Sequence, residues 1–324
     1  MTRRYVSPLR YPGGKARMAA YLTAIYVQQF GRMDIEIWHE PFAGGLGAGL
    51  TLLDNDVVQE VWFCEANPAI AAFWRAIIAD CDEFAATIAS AQPSLVGYEE
   101  ALHTVEAAYQ GEQLDDQTLG FAAFVVNRCS RSGIVAPGSG PIGGKHQTGR
   151  WTVSDRFDPS ALAARIRALA PLTHRLRYVG EDGIANIAEL SGEVGIEEEM
   201  VCLVDPPYLG EGNRLYAKGM TGDQHSRLAA ALNATPARWL LTYDSEPAVH
   251  QVFYPDRRVL EFTIPHSANK RREDTEYLVF SDNLAIDTIR AVLQNSRGRW
   301  IRGGPEVADD DQDLTLPGME TIGA

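Results

Sequence analysis

Short apolar runs alternate with longer amphipathic segments towards both ends of the chain. Between Met18 and Phe30 the apolar residues recur at helical spacing, which predicts an amphipathic helix. Apolar runs bounded by polar or glycine-rich turns predict strands. This alternation is typical of an α/β fold built on a mainly parallel sheet. The predicted strands cover residues 35–40, 61–64, 200–204, 238–243, 258–264 and 276–281.

The alternation is absent between about residue 80 and residue 178. Helical patterns cover 84–91, 98–109 and 118–126, and a stretch rich in Gly, Ser and Pro follows from 132 to 149, too long for an ordinary turn. Residues 149–153 suit the return strand of a hairpin, and Asp158 before Pro159 predicts another helix start. We therefore expect residues 81–177 to be an inserted domain between residues 1–80 and 178–302. Its glycines are also compatible with a disordered loop that has no function.

The last two predicted strands flank a polar loop over residues 265–275, as in an antiparallel hairpin. Within this loop, Lys270 and Arg271 are candidates for contacts with phosphate groups, and a charged loop tip without function is the alternative. Residues 303–324 carry six acidic residues and no basic one, so we expect a disordered, solvated tail.

Composition leaves room for one large domain with an insertion, since the chain has 324 residues and 45% hydrophobic content. Its formal charge of −14 is unevenly distributed: residues 128–177 contain nine Lys or Arg against two Asp, a balance of +7. This basic segment is the candidate surface for phosphate groups, and a solvated helix face is the alternative. Its candidate contacts are Arg128, Arg131, Lys145 and Arg150.

The four cysteines lie far apart, and no Cys or His spacing suggests a zinc site or a disulfide framework. No run approaches the ~18 apolar residues of a membrane span, and the N-terminus lacks the apolar core of a signal peptide. We therefore expect a cytoplasmic protein that holds no metal and contacts no membrane. Nothing in the pattern indicates an oligomeric state.

The most informative motif is Asp205-Pro206-Pro207-Tyr208, which directly follows the apolar run 200–204. The carboxyl ends of strands hold the active sites of open α/β sheets. A carboxylate, a backbone carbonyl among rigid imino acids, and an aromatic ring suit a planar substrate with an exocyclic amino group, such as adenine. An Asx-turn in a proline-locked loop is the alternative without function.

Three further positions suggest a nucleotide-like cofactor. Gly44 and Gly45 belong to a glycine cluster after the first predicted strand, which lets backbone approach a ligand closely. Glu65 ends the second strand, where an acid grips a ribose diol. Lys15 lies at a helix start, where a cation opposes the helix dipole, so an anionic partner is expected. A plain loop acid and a solvated lysine are the alternatives. The glycine spacing departs from the dinucleotide fingerprint, which counts against a nicotinamide oxidoreductase.

In their order along the chain, the motifs resemble those of the Dam-type DNA adenine-N6 methyltransferases, over about residues 7–283. The resemblance implies a prokaryotic or phage-encoded enzyme that transfers a methyl group from S-adenosyl-L-methionine to a flipped adenine in double-stranded DNA, without a metal. It also implies a Rossmann-like methyltransferase sheet with an antiparallel terminal hairpin, plus an inserted, mainly helical target-recognition domain. The matching residues are Tyr11-Pro12-Gly13-Gly14-Lys15, Glu40-Pro41-Phe42-Ala43-Gly44-Gly45, Glu65-Ala66-Asn67, Asn127-Arg128 with Ser132-Gly133-Ile134, and Asp205-Pro206-Pro207-Tyr208.

The resemblance also implies roles for single residues. Asp205 and the Pro206 carbonyl accept the amino hydrogens of adenine, and Tyr208 stacks on the base. Asn127 and Arg128 belong to the segment just before the family's DNA-contacting hairpin. The family usually has Asp where this chain has Glu65. Cofactor contacts are implied at Tyr11, Lys15, Gly44, Gly45, Glu65, Asp182 and Asp205, with Asp182 preferred to Glu181.

Two other functions remain open at this point. A DNA-binding regulator on the same scaffold, without catalysis, is one. An amino-methyltransferase that acts on cytosine N4 or a glutamine side chain is the other, but those families tend to carry Ser or Asn at the position of Asp205.

Overall fold

A computed structural model describes residues 6–11, 13–30, 37–190, 192, 195, 199–209, 219–264, 274–286 and 298–304. These residues form a mixed α/β fold with one eight-stranded sheet, which confirms the predicted α/β class. The strands are β1 (Ile37–Glu40), β2 (Glu60–Cys64), β3 (Leu176–Gly180), β4 (Met200–Val204), β5 (Arg238–Asp244), β6 (Arg258–Ile264), β7 (Asp274–Phe280) and β8 (Gly298–Arg302).

The sheet has a parallel part and an antiparallel edge, in the order β3-β2-β1-β4-β5-β7-β6-β8. The first five strands in this order are parallel neighbours. In contrast, β7 runs antiparallel between β5 and β6, which confirms the expected antiparallel pair. The edge strand β8 pairs antiparallel with β6 and was not expected from the sequence pattern. The loop that carries Lys270 and Arg271 lies outside the described residues.

Helices cover both faces of the sheet. In β4 all five residues are buried, as expected for a strand covered on two sides. Val201 and Leu203 belong to a core shared with the helices α1 to α7, whereas Met200 and Val204 belong to a core shared with α8 and α9. The helices are α1 (Ala19–Phe30), α2 (Gly47–Asp54), α3 (Pro68–Ala79), α4 (Cys81–Ser90), α5 (Leu95–Tyr109), α6 (Asp116–Cys129), α7 (Pro159–Arg167), α8 (Gly183–Leu190) and α9 (Gly222–Ala234).

Side-chain caps decide where several helices begin. Asn67 accepts hydrogen bonds from the N–H groups of Ala69 and Ile70 at the start of α3, and Asp158 caps α7, as expected from their positions before proline. Three helices begin earlier than the apolar pattern predicts, because that pattern starts at the first apolar residue instead of the cap. Their caps are Asp80 before α4, Ser94 before α5 and Asp115 before α6.

The connection from β2 to β3 contains α3 to α7. Phe124 of α6 stacks on Phe73 of α3, with ring centroids 5.6 Å apart and planes 4° from parallel. A Cβ atom on Gly120 would lie 2.9 Å from Phe73 Cα, so glycine is required for this close approach. The helical segment therefore shares its core with one face of the sheet. Its separation as a target-recognition domain stays a prediction.

The strand expected over residues 149–153 is wrong. These residues form no strand, and the polar groups of Thr152 and Val153 are satisfied locally instead of by a partner strand. The backbone N–H and the hydroxyl of Thr152 donate to the Asp155 carboxylate, and the Val153 N–H donates to Gln147 Oε1 at 2.8 Å. Within the described part of residues 130–152, pairing is limited to an isolated bridge between Ser130 and Pro141. No helix among the described residues is long and apolar enough to cross a membrane.

Candidate active site

A cavity of about 440 Å³ lies where the carboxyl ends of β1, β2 and β4 meet, and we call it the switch-point cavity. β1 and β4 are neighbours, but the chain leads from β1 towards β2 and from β4 towards β5, in opposite directions along the sheet. Such a point opens a crevice between the two loops, where open α/β sheets bind ligands. Seven of the predicted site residues line it: Tyr11, Lys15, Gly44, Gly45, Glu65, Asp205 and Pro207.

Tyr11 lies across the two glycines of the loop after β1. A Cβ atom on Gly44 would come within 2.5 Å of Tyr11 Cε1, and one on Gly45 within 2.8 Å of Tyr11 Cβ. Gly44 also has a φ of +48°, which other residues rarely adopt. Ser7 Oγ donates to the Gly45 carbonyl at 2.5 Å, and Trp74 Nε1 donates to the Gly44 carbonyl at 2.9 Å. The loop is thus held from two sides, and glycine is needed for Tyr11 to pack on it.

Glu65 connects the second strand to this loop. Its Oε2 accepts a hydrogen bond from the Gly44 N–H at 2.7 Å, and its Oε1 accepts one from the Asn67 N–H at 2.8 Å. Burial raises the pKa of Glu65 to about 7, against the effect of these donors. Because each carboxylate oxygen has two lone pairs, Glu65 keeps capacity to accept hydroxyl donors in the cavity.

Glu40 is a second buried carboxyl group beside the cavity. Its Oε1 accepts hydrogen bonds from Trp38 Nε1 at 3.0 Å and from the Gly49 N–H at 2.5 Å. Burial raises the pKa of Glu40 to about 7. A Cβ atom on Gly49 would lie 2.8 Å from Glu40 Oε1, so glycine is required for this close contact. Glu40 begins one of the motifs that carry the family resemblance, but it was not predicted as a site residue.

Lys15 joins the N-terminal segment to the end of β4. Its Nζ lies 2.8 Å from Asp205 Oδ1 and 3.9 Å from Glu276 Oε2, and it donates to the Tyr208 hydroxyl at 2.9 Å. Burial lowers the pKa of Lys15, but the two carboxylates outweigh it, so the net shift is upward. Lys15 is therefore a cation at neutral pH, and the protein itself supplies the expected anionic partner. Glu276 was not predicted.

The described partners of Asp205 contact only one of its two oxygens. Thr242 Oγ1 donates to Oδ1 at 2.5 Å, and the Tyr208 hydroxyl lies 3.4 Å from the same atom. With Lys15, this gives Oδ1 three partners, whereas Oδ2 has none among the described residues. The carboxylate is thus held through one oxygen, and the other has capacity for a ligand.

The ring of Tyr208 packs against Tyr243 of β5. Its centroid lies 6.2 Å from that of Tyr243, whose hydroxyl is hydrogen-bonded to the buried His225 Nδ1. The Leu209 N–H donates to Asp244 Oδ1 at 3.3 Å. β5 and α9 therefore brace the motif, in which Pro206 is buried and Pro207 faces the cavity.

The helical insertion supplies one wall of the switch-point cavity. Tyr109, Ile134 and Val135 line it. The Val135 carbonyl accepts hydrogen bonds from Asn67 Nδ2 at 2.9 Å and from the Tyr109 hydroxyl at 3.3 Å, which ties this wall to the start of α3. None of the three was predicted as a site residue, although Ile134 lies in one of the motifs that carry the resemblance. No local pattern indicates that α5 and the loop after α6 reach the carboxyl ends of β1 and β2.

The structure reverses the preference for Asp182 over Glu181. Asp182 Oδ1 accepts hydrogen bonds from the Ile184 and Ala185 N–H groups, both at 3.0 Å, and so caps α8. Glu181 lines the switch-point cavity, and Asp182 does not. The local sequence pattern does not distinguish Glu181 from Asp182, because both follow β3. The second of them caps the helix, which leaves the first for the cavity.

Asn127 is wrong as a predicted DNA contact, because it is fully buried. Its Nδ2 donates to the Arg10 carbonyl at 2.8 Å and to the Gly133 carbonyl at 2.6 Å, and its Oδ1 accepts from the Arg10 N–H at 2.8 Å. Its hydrogen bonds fasten the end of α6 to the N-terminal segment. Arg128 is half-buried, and its Nε donates to the Arg156 carbonyl at 3.1 Å.

Three other predicted cationic contacts are exposed, and none of them lines the switch-point cavity. These are Arg131, Lys145 and Arg150. The Arg150 guanidinium lies 5.1 Å from the ring centroid of Trp151, an aromatic side chain that is 58% exposed. An exposed aromatic ring among cations is common on surfaces that bind nucleic acids.

The described residues include no group of three or more His, Cys, Asp or Glu side chains placed to hold a metal ion. Comparison with models of known protein families gives no match, and comparison with curated proteins gives none either.

Proposed function

We propose that this protein is an S-adenosyl-L-methionine-dependent DNA methyltransferase that methylates the N6 amino group of adenine. One observation carries the proposal. Asp205 follows a central parallel strand, is held at Oδ1 by Lys15 and Thr242, and lines a cavity at the switch point of the sheet. A fixed carboxylate with a second oxygen available is the acceptor that an exocyclic amino group requires.

The strand order supports a Rossmann-like methyltransferase sheet. The order β3-β2-β1-β4-β5 agrees with the common order of doubly wound nucleotide-binding sheets. The antiparallel β7 beside β5 agrees with the terminal hairpin that the resemblance implies. In this proposal residues 1–80 and 178–302 bind the cofactor, and residues 81–177 recognise the DNA target.

The residues around the switch-point cavity fit S-adenosyl-L-methionine. Glu65 has the position of an acid that accepts both ribose hydroxyls. Gly44 and Gly45 present a wall without side chains, next to the ring of Tyr11. In this proposal Glu181, which lines the cavity, contacts the adenine ring of the cofactor in place of Asp182. When bound, the cofactor supplies an electrophilic methyl group.

Asp205 makes the target nitrogen a better nucleophile. The lone pair of an adenine amino group is delocalised into the ring, and hydrogen bonds to acceptors favour a localised, tetrahedral nitrogen. Asp205 Oδ2 accepts one amino hydrogen and the Pro206 carbonyl accepts the other as positive charge develops on the nitrogen. Lys15 orients the carboxylate through Oδ1. Because Lys15 is itself a cation, it does not act as the general base.

Tyr208 positions the base. Its ring, supported by Tyr243, offers a flat face for an unstacked adenine. The target atom lies inside the duplex in B-form DNA, so the nucleotide has to be flipped out. Exposed cations of the insertion supply the attraction for the phosphate backbone.

The direct test is transfer of a labelled methyl group by the purified protein. Duplex DNA that contains all short sequence contexts is incubated with S-adenosyl-L-methionine carrying a labelled methyl group, digested to nucleosides and separated by chromatography. We expect label in N6-methyldeoxyadenosine, with none for Asp205→Ala. Label in a cytosine derivative or in protein would replace the proposal with one of the two other amino-methyltransferase activities. Cofactor binding without transfer would support the regulator.

A further inference from the structure

A second cavity, of about 610 Å³, shares its wall with the switch-point cavity, and we call it the arginine cavity. The shared wall includes Tyr11, Gly14 and Lys15. Its other sides come from elements far apart in sequence: the N-terminal segment, the end of α6, α7 and the end of β6. The volume is within the range of pockets that bind small ligands.

Four arginines line this cavity: Arg10, Arg17, Arg128 and Arg165. Arg17 is exposed, whereas backbone carbonyls hold the other three. Arg10 Nη1 donates to the Ser130 carbonyl at 2.7 Å and Arg10 Nη2 donates to the Arg131 carbonyl at 2.9 Å. Arg165 Nη2 donates to the Ser7 carbonyl at 2.5 Å. Guanidinium groups fixed in this way lose little side-chain entropy when a ligand binds.

Positive charge is concentrated in this cavity, and the described residues provide no carboxylate partner for Arg10 or Arg128. Burial, together with the neighbouring Arg10 and Arg165, lowers the pKa of Arg128 to about 10. Burial and Arg156 lower the pKa of Arg10. Among the described residues neither Arg10 nor Arg128 forms an ion pair. Bringing these charges together disfavours the folded state unless an anion joins them.

Apolar side chains line another part of the cavity. Leu9, Met18, Phe262 and Ile264 line the cavity, and Glu276 lies where it meets Lys15. A ligand that suits both the arginines and the apolar side chains carries a phosphate group next to a less polar sugar or base. Nucleotides have this chemistry, and planar guanidinium groups bind phosphate oxygens in pairs.

We propose that the arginine cavity binds a phosphate group of a DNA strand next to the target nucleotide, with Arg10, Arg128 and Arg165 as its ligands. The identification of the strand as DNA rests on the proposed function, whereas the phosphate chemistry does not. The shared wall at Lys15 places this phosphate beside the cluster that holds Asp205. The cavity thereby anchors the strand while the adenine is out of the helix.

The test is binding of a labelled duplex oligonucleotide without S-adenosyl-L-methionine, measured by fluorescence anisotropy over a range of salt concentrations. The test variant carries Arg128→Gln and Arg165→Gln. The control carries Arg227→Gln and Arg299→Gln, which remove the same charge from exposed positions of α9 and β8, outside the basic segment. At moderate salt we expect the Kd of the test variant for the duplex to be at least about tenfold higher than that of the wild-type protein. The slope of log K against log salt falls by about 0.9, the value for one phosphate contact.

A second arm separates DNA phosphate from free phosphate. Inorganic phosphate is added to wild-type protein at constant ionic strength, with chloride as the reference. Displacement of the duplex by phosphate beyond the chloride effect, absent in the test variant, supports the proposal. Binding of inorganic phosphate by a wild-type protein that does not bind duplex would overturn the DNA assignment and the proposed function together.

If the test variant fails to fold, Arg128→Lys with Arg165→Lys replaces it. This pair keeps the charge but loses the planar fork, so we expect an intermediate Kd with an unchanged salt slope. A test variant that is folded and binds duplex with wild-type affinity would overturn the arginine cavity as a phosphate site. Methyl transfer by the wild-type protein would be unaffected by that result, so the two proposals fail separately.

Discussion

At the scale of single residues, the contacts of Asp205 and Glu65 explain what each contributes. Thr242 and Lys15 hold one oxygen of Asp205, and the other has no partner among the described residues. Glu65 is tied to the backbone of the glycine loop and retains lone pairs. The first residue suits an acceptor for a reacting amino group, and the second suits a clamp for hydroxyl groups.

Asp205→Asn is expected to lower kcat for methyl transfer by about 100-fold or more, the scale seen when one preorganised electrostatic group is lost. The amide keeps the shape of the side chain but has only one acceptor oxygen. The measurement is the initial rate at saturating DNA and cofactor. Asp182→Asn is the matched control, because Asn caps α8 as well as Asp does, and its rate should equal that of the wild-type protein. Normal turnover by Asp205→Asn would remove Asp205 from the mechanism.

Cofactor affinity is expected to rise with pH up to about pH 7. Burial raises the pKa of Glu65 to about 7, so the ligand-free protein holds a proton there below that pH. A ligand that needs the carboxylate must displace this proton, and the dissociation constant improves by up to about tenfold per pH unit below 7. The same raised pKa contributes stability to the ligand-free fold below about pH 4.5, and this contribution is lost as pH rises towards 7.

Titration calorimetry with S-adenosyl-L-methionine between pH 5.5 and 8 measures this dependence. Glu65→Gln should bind more weakly at pH 8 and show a smaller pH step, with the residual step due to Glu40, whose pKa burial also raises to about 7. An undiminished step in the Gln variant would mean that Glu65 does not titrate with cofactor binding.

At the scale of elements, the loop after β1 determines the shape of the switch-point cavity. Tyr11 packs on Gly44 and Gly45, and Trp74 holds the Gly44 carbonyl. The glycines thus serve a contact with an aromatic ring from the N-terminal segment in addition to the approach of a ligand.

Gly44→Ala is expected to destabilise the protein by about 1–3 kcal/mol, because the added methyl group overlaps the Tyr11 ring and the residue keeps a positive φ. Chemical denaturation measures the free energy of unfolding. Gly149→Ala has open space around its Cβ and should change stability by less than about 0.5 kcal/mol. Adding Tyr11→Ala to Gly44→Ala should cost less than the sum of the two single changes. Strict additivity would contradict the packing of Tyr11 on this glycine.

Local sequence patterns predict most of these elements but few of the contacts between them. Asn67 and Asp158 mark helix starts because an N-cap acts within four residues. Glu276 follows Asp205 by 71 positions in the sequence, and only the pairing of β7 with β5 brings the two together. Asn127 lies in one of the motifs that carry the resemblance, yet its burial depends on the N-terminal segment folding over the end of α6. Nonlocal contacts of this kind have no signature in a single sequence.

At the scale of the whole molecule, basic and acidic residues are concentrated in different parts of the chain. A protein with a formal charge of −14 is repelled by DNA unless cations are concentrated on one surface. Arg131, Lys145 and Arg150 are exposed in the insertion, close in sequence to the exposed ring of Trp151. We expect this surface to supply the salt-dependent part of DNA binding.

Combined replacement Arg131→Gln, Lys145→Gln and Arg150→Gln is expected to weaken duplex binding similarly for all sequences. The slope of log K against log salt should fall by up to about 3, since each of the three cations neutralises one phosphate group. Anisotropy titrations at several salt concentrations give this slope. A variant with the same number of exposed acidic residues replaced, Asp223→Asn, Glu112→Gln and Asp256→Asn, serves as a control for general charge effects and should not lower the slope. An unchanged slope in the cationic variant would move the DNA surface away from the insertion.

The most direct test of the central claim is single-molecule sequencing with modified-base detection on plasmid DNA from a methylation-deficient host that expresses this chain. We predict N6-methyladenine at one recurring short motif, and none when Asp205→Asn is expressed at the same level. Plasmid DNA without any modified base, from cells in which the protein is abundant and folded, would contradict the assignment as a DNA adenine methyltransferase.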